Sequence, residues 1–378
     1  MAGPICILCP VEITDENDSR EHVIQNAIGG RKQVKGVLCT KCNNITCKEW
    51  DAEFARQLQP LSAFFAITRQ RGEIPPQLLT TVFSGQQFIR RPDGQLTLAR
   101  PSYEEVQTDS GTQISISAPT LKRARQLLER ARAKYPQIDA DSIVARVQST
   151  YQYLDEPVKM SLSFGGEKAG RSLVKSCVTL AVDVGIEAAE CINALEYLRN
   201  LEGFPCFGYF YERDLIRNRP NDLFHCVAVS GDPQSGQLTG YAEYFGVYRV
   251  VVGMSDRYTG HSLKAAYAIN PMTGKEIKGL DVDLALTAQE IQDTYEYKMI
   301  PDGAMAEAAD RVIPIGMKND FKRERAAVIK RAIEYAFAHC GAKEGEMLTD
   351  EHKLKLSSLV SEQLKPFIMR NRRRPPRH

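Results

Sequence analysis

The chain has 378 residues, of which 43% are hydrophobic and 25% charged, with a formal net charge of +2. That length allows two or three domains and a sizeable core. The charge balance excludes a polycation, so a nucleic-acid surface has to be local. No apolar run reaches the ~18 residues of a membrane span. The opening residues lack the basic start and apolar core of a signal peptide. The expectation is a soluble, cytoplasmic protein with no membrane partner.

Ten cysteines are unevenly placed. Cys6, Cys9, Cys39, Cys42 and Cys47 fall in a stretch dense in Cys, Gly, Asn and charge, with little room for an apolar core. Such a short segment needs a staple to fold, and clustered cysteines in a reducing compartment suggest a metal. Cys177, Cys191, Cys206, Cys226 and Cys340 stand singly among apolar neighbours and read as core residues.

In chain order, a helix is expected over 41–61, with Phe54, Leu58, Leu61 and Phe65 in one apolar stripe. Residues 87–90 and 95–98 flank Pro92-Asp93-Gly94 as a hairpin, and the alternation over 112–118 is that of a half-buried strand. Pro119-Thr120 opens a helix with the stripe Leu121, Ala124, Leu128 and Ala131. Its other faces carry Lys122, Arg123, Arg125, Arg130, Arg132 and Lys134, read first as a solvated face and second as a phosphate-facing one.

Further on, Phe164-Gly165-Gly166 leads into a helix over 168–184, followed by one over 187–199. With Arg171 and Lys175, this start has the outline of an anion-binding helix terminus, without further phosphate-loop residues. Short strands at 206–211, 223–230, 238–244, 248–254 and 264–269 suggest a mainly antiparallel sheet. Helices at 289–298, 321–339 and 349–367 close the chain. The fold class is α+β. His225 in its apolar run reads as a core or strand-edge histidine, and His261, His339 and His352 have no partner at metal spacing.

Chemistry concentrates at the start. Cys6-Ile-Leu-Cys9 and Cys39-Thr-Lys-Cys42 are two CxxC pairs separated by residues 10–38. Two thiolates at i and i+3 reach one ion, and two pairs complete a tetrahedral Zn²⁺ site. Four cysteines leave no open coordination position, so this zinc is structural. Between the pairs lie Glu21-His22-Val23-Ile24, Ile28-Gly29-Gly30 and Val37-Leu38, and Asn43-Asn44 follow Cys42 directly.

This set resembles the zinc-containing branch of the HNH endonuclease family over residues 5–55. The resemblance implies a ββα-metal module in which His22 is the general base that takes a proton from the attacking water, a role suited to imidazole. It also implies that Glu21 and Asn43 ligate a catalytic Mg²⁺ or Mn²⁺, which would stabilise the leaving oxygen. Because neighbouring strand residues point to opposite faces, Glu21 and His22 need a twist or bulge to share one site. The family's middle asparagine is replaced by Lys35-Gly36. Its further metal ligand falls at Cys47, a poor partner for Mg²⁺, with Asn44 and Asp51 as alternatives.

The expected organisation is a zinc-stapled module over 1–58, a helix and hairpin connection over 59–150, an α+β recognition or regulatory domain over 151–368 and a basic tail over 369–378. The tail holds Arg370, Arg372, Arg373 and Arg374, read as phosphate contacts. Together these features predict a metal-dependent endonuclease acting on DNA, with bacterial anti-phage defence as a setting. Because HNH modules often nick one strand, a homo-oligomer would serve to cut both. The alternative is a non-catalytic zinc module that binds nucleic acid or protein, attached to a regulatory domain.

Overall fold

The computed structural model describes residues 3–91, 94–109, 111–147 and 153–372. Pro92 and Asp93 of the expected hairpin turn, and Arg373 and Arg374 of the tail, lie outside the described residues. The architecture is α+β, with every sheet pairing antiparallel.

The chain begins with a β-hairpin and a helix. Strand β1 (Glu21–His22) pairs with β2 (Gln33–Val34), placing Glu21 opposite Val34 and His22 opposite Gln33. After the second cysteine pair begins, α1 (Thr40–Thr46) passes through one π-helical turn (Cys47–Asp51) directly into α2 (Ala52–Phe65). A π turn offsets the side chains that follow it and often marks a functional position. The stripe Phe54, Leu58, Leu61 and Phe65 is buried as its spacing predicts. The rod ends where Ala66 turns to φ +50°. The boundary expected at 58 therefore falls inside a continuous helix.

A middle region carries β3 (Gln77–Thr81), β4 (Gln87–Arg90), β5 (Leu96–Leu98), the hairpin of β6 (Ser102–Thr108) and β7 (Gly111–Ser117), α3 (Leu121–Lys134), α4 (Ala140–Ala145) and β8 (Val158–Lys159). Its sheet runs β5-β4-β3-β8. On α3, Leu128 and Ala131 are buried while Lys122, Arg123, Arg125, Arg130, Arg132 and Lys134 are exposed.

The remainder is built on α5 (Gly166–Asp183), α6 (Ile192–Arg199), β9 (Phe207–Tyr209), β10 (His225–Asp232), β11 (Gln237–Tyr244), β12 (Tyr248–Ser255), β13 (Leu263–Asn270), β14 (Lys275–Ile277), α7 (Ala288–Tyr295), α8 (Ala304–His339) and α9 (Asp350–Arg372). The six strands lie in the order β14-β13-β10-β11-β12-β9. Helix α5 is the pivot of the molecule. It packs on the π turn and α2 on one side and on β10 and β11 on the other. Every residue from Ala169 to Ala181 is buried.

One apolar core runs from Cys6 in the N-terminal module through α5 and the sheet to Val312 on α8, and a second gathers Phe210, Phe224, Cys226, Tyr241, Val251 and Ile291. His225 pins the same junction from the sheet side. Its Nε2 lies 2.9 Å from the Ile28 carbonyl, and its Nδ1 accepts from the Phe245 N–H at 2.9 Å. Burial pushes its pKa down to about 3, so the ring is neutral and Nε2–H donates. Helix α8 starts before the expected 321 and runs through Pro314. Its Asn319 donates to the Phe65 carbonyl at 2.8 Å and Arg323 to that of Phe64 at 3.2 Å, satisfying carbonyls left open at the end of α2. Among the described residues no helix is long and apolar enough to cross a membrane.

Candidate active site and zinc centre

The ligand atoms of Cys6, Cys9, Cys39 and Cys42 lie within 4.8 Å of one another. Cys9 Sγ is 3.8 Å from Cys39 Sγ and 3.5 Å from Cys42 Sγ. With Zn–S bonds of about 2.3 Å, the edges of a ZnS₄ tetrahedron are about 3.8 Å, so the four thiols fit one zinc ion. The first knuckle turns through Cys6 N–H to Val11 O at 2.9 Å, and the second opens α1. The loop before the second knuckle is fixed by Asp18, whose Oδ1 accepts from Gly36 N–H at 3.0 Å, and by Ser19 Oγ, which donates to Leu38 O at 2.6 Å. Gly36 has φ +77°, where glycine costs little. Asp18 thus holds the loop at the place where the family pattern has an asparagine.

Strand β1 separates its two residues without a register shift between them. Glu21 points into the protein and is 3% exposed, while His22 is only half-buried. A bulge uniting the two side chains on one face is not used; the ordinary alternation of a strand sorts them. The amide nitrogen of Gln33 lies 3.0 Å from His22 Nε2. With Gln33 donating, Nε2 carries the lone pair that a base needs. Burial holds the pKa of His22 below the usual histidine value, a hydrogen bond that the ring donates to the Gln70 side chain and the charge of Asp51 oppose this, and Lys175 and Arg71 add to it. Asn26 arranges that surrounding. Its side chain accepts from Gln70 N–H at 2.8 Å and donates to Arg71 O at 3.2 Å, tying the segment after α2 beside the hairpin.

Behind His22, Glu21 meets a partner from the other end of the core. Lys175 Nζ on α5 is 2.8 Å from Glu21 Oε1 and 2.7 Å from Asp51 Oδ2 at the end of the π turn. Asp51 Oδ1 accepts from Ser172 Oγ at 2.5 Å, and Ser172 Oγ accepts from Gln25 Nε2 at 2.8 Å. Burial alone would push the ammonium's pKa down, but Asp51 and Glu21 outweigh it and hold Lys175 above the ordinary lysine value. Burial, aided by the charge of Asp51, raises Glu21, with Lys175 opposing.

Asn43 is half-buried on α1 and Asn44 exposed, and Cys47 is exposed in the π turn. Carboxylate and amide oxygens have the chemistry of Mg²⁺ ligands. As arranged, however, Glu21 faces an ammonium, and both Asp51 oxygens are engaged by protein donors. Among the described residues the four cysteines are the one cluster of three or more His, Cys, Asp or Glu side chains converging on a metal-sized volume. These residues do not fit a divalent ion on Glu21.

Elsewhere, the Gly165-Gly166 helix start is used internally. Gly165 exchanges hydrogen bonds with the Gln57 side chain, both at 2.9 Å. Arg171 binds Glu167 at 2.7 Å and Asn200 O at 3.1 Å. With Lys175 also turned inward, the outline of an anion site is not realised. Of the tail arginines, Arg370 stacks on Tyr153 at 3.9 Å and lies 3.6 Å from Glu324, while Arg372 is exposed.

Residues 6–59 match the HNH endonuclease family model. The match takes in both knuckles, Glu21-His22 and the π turn with Asp51. No curated protein and no solved structure matches the chain. Lys175, Ser172, Gln70 and Arg71 lie beyond the HNH match; Lys175 drew notice in the sequence only as part of an anion-binding helix start, and no local motif marks the other three. For Lys175 the signal is a charge set between Leu173-Val174 and Cys177-Val178, where it has to find a partner if the helix is buried.

Proposed function

We propose that the chain is an endonuclease that hydrolyses phosphodiester bonds in DNA, with His22 as general base. The observation that carries this is the half-buried His22 on the hairpin of an HNH match, its ring flanked by Gln33 and Gln70 and its pKa below the usual value. A neutral imidazole at pH 7 can take the proton of a water that displaces the Gln33 amide from Nε2. Arg71, exposed beside the ring, is a cation able to meet a phosphate oxygen. Glu21 and Asp51 are bound to Lys175 on the inner side of the strand and touch no substrate in this arrangement. Because Lys175 stands against Glu21, the Mg²⁺ or Mn²⁺ expected on Glu21 and Asn43 takes no part in the proposed reaction. Bacterial anti-phage defence is an extension of the same proposal, supported only by the joining of a nuclease module to a larger domain.

The test is plasmid cleavage by the purified, zinc-loaded chain, with His22→Ala as control. Wild type is expected to nick or cut, and His22→Ala to leave the plasmid intact while keeping its fold. The second reading, a non-catalytic zinc module for nucleic acid or protein, is favoured by the engagement of Glu21 with Lys175. It gains if both proteins bind DNA and neither cuts it.

A further inference from the structure

We propose that Lys175 is the resident cation of this centre: its ammonium holds the place on Glu21 that the sequence gives to a divalent ion, and the native chain takes up no divalent ion there. The contacts of 2.8 Å to Glu21 and 2.7 Å to Asp51 are those of charge-assisted hydrogen bonds. A Mg²⁺ ion needs oxygens at about 2.0–2.1 Å in near-octahedral order. To supply them, Glu21 and Asp51 would have to release the ammonium, leaving it buried without a counter-charge. Lys175 has no room to withdraw. It is 0% exposed, and α5 is buried on all sides between the HNH module and the sheet.

The surroundings are built for this occupant. Ser172, one helical turn before Lys175, takes the other Asp51 oxygen, and Gln25 from the HNH module donates to both Ser172 Oγ and Ser176 Oγ. The cation therefore arrives as part of the larger domain, and the HNH module is electrostatically complete only when α5 is docked. Lys175 is a positioning residue. It fixes Glu21 and Asp51 behind His22 and touches no substrate. Its bearing on hydrolysis rests on the nuclease proposal, whereas the binding statement does not.

The experiment is Mn²⁺ titration followed by electron paramagnetic resonance on the zinc-loaded full chain, since Mn²⁺ competes poorly for thiolates. Wild type and Glu21→Gln are expected to show the same weak, non-stoichiometric binding. Lys175→Met, or Lys175→Gln if the first does not fold, should gain one Mn²⁺ per chain and lose it again when Glu21→Gln is added. One Mn²⁺ bound by wild type and removed by Glu21→Gln overturns the proposal, as does a folded Lys175 variant that binds none. If wild type binds one Mn²⁺ that Glu21→Gln removes and the plasmid is cut, the internal cation fails alone. If the titration behaves as expected and nothing is cut, the nuclease reading fails alone.

Discussion

His22 and Lys175 show how burial assigns chemistry at single residues. The half-buried imidazole is held below its ordinary pKa, so it remains an unprotonated base at neutral pH. A pH–rate profile of cleavage should rise with pH through a value below about 6.5, and a limb centred above 7 would contradict that environment. Replacing His22 by alanine should cost about 10²–10⁴-fold in rate. For Lys175 the consequence is stability. Removing one partner from a buried ionic cluster costs about 3–5 kcal/mol, so Lys175→Met should lower the urea midpoint strongly, and adding Glu21→Gln should recover part of the loss. His225 gives a pH signature of the fold. Its folded pKa is about 3, against about 6.5 for an unfolded histidine. The unfolded chain thus binds a proton that the folded one excludes, and this contribution, complete above pH 6.5, is lost as pH falls toward 3. Urea midpoints across that window should fall less steeply in His225→Gln than in wild type.

The hairpin, the knuckles and the continuous rod of α1 and α2 are elements whose geometry is local, which is why they are readable from sequence. Two CxxC pairs declare their zinc through spacing alone, and the apolar stripe from Phe54 to Phe65 declares its helix. The π turn between them leaves no such trace, yet it delivers Asp51 to Lys175. Helix α8, expected to begin only at 321, starts at Ala304 and carries Pro314 inside it. At Gly29-Gly30 the demand for the second glycine is a close approach of backbone within the hairpin loop. A Cβ on Gly30 would lie 1.7 Å from the Ile24 carbonyl oxygen. Gly30→Ala should therefore collapse the hairpin loop, detectable as a large loss of thermal stability. Gly3, where a Cβ would first meet the movable end of the Glu12 side chain, makes a milder comparison.

At the scale of the molecule, the HNH module and the larger domain share one core, with α5 between them. A boundary at residue 58 suggests itself from sequence because motifs are contiguous while charge partners need not be. Glu21 and Asp51 announce themselves beside the knuckles, and Lys175 waits beyond the whole middle region. A fragment ending at residue 66 would expose the buried carboxylates and the stripe of α2. It should show no cooperative thermal transition by circular dichroism, even with zinc bound. Conversely, stripping zinc from the full chain should lower the transition of the entire core rather than release one end of it. The proposed hydrolytic centre around His22 is tested most directly by plasmid cleavage with zinc-loaded wild type and His22→Ala, matched by circular dichroism. The expected result is cleavage by wild type alone; equal cutting by both, or equal inertness, would contradict it.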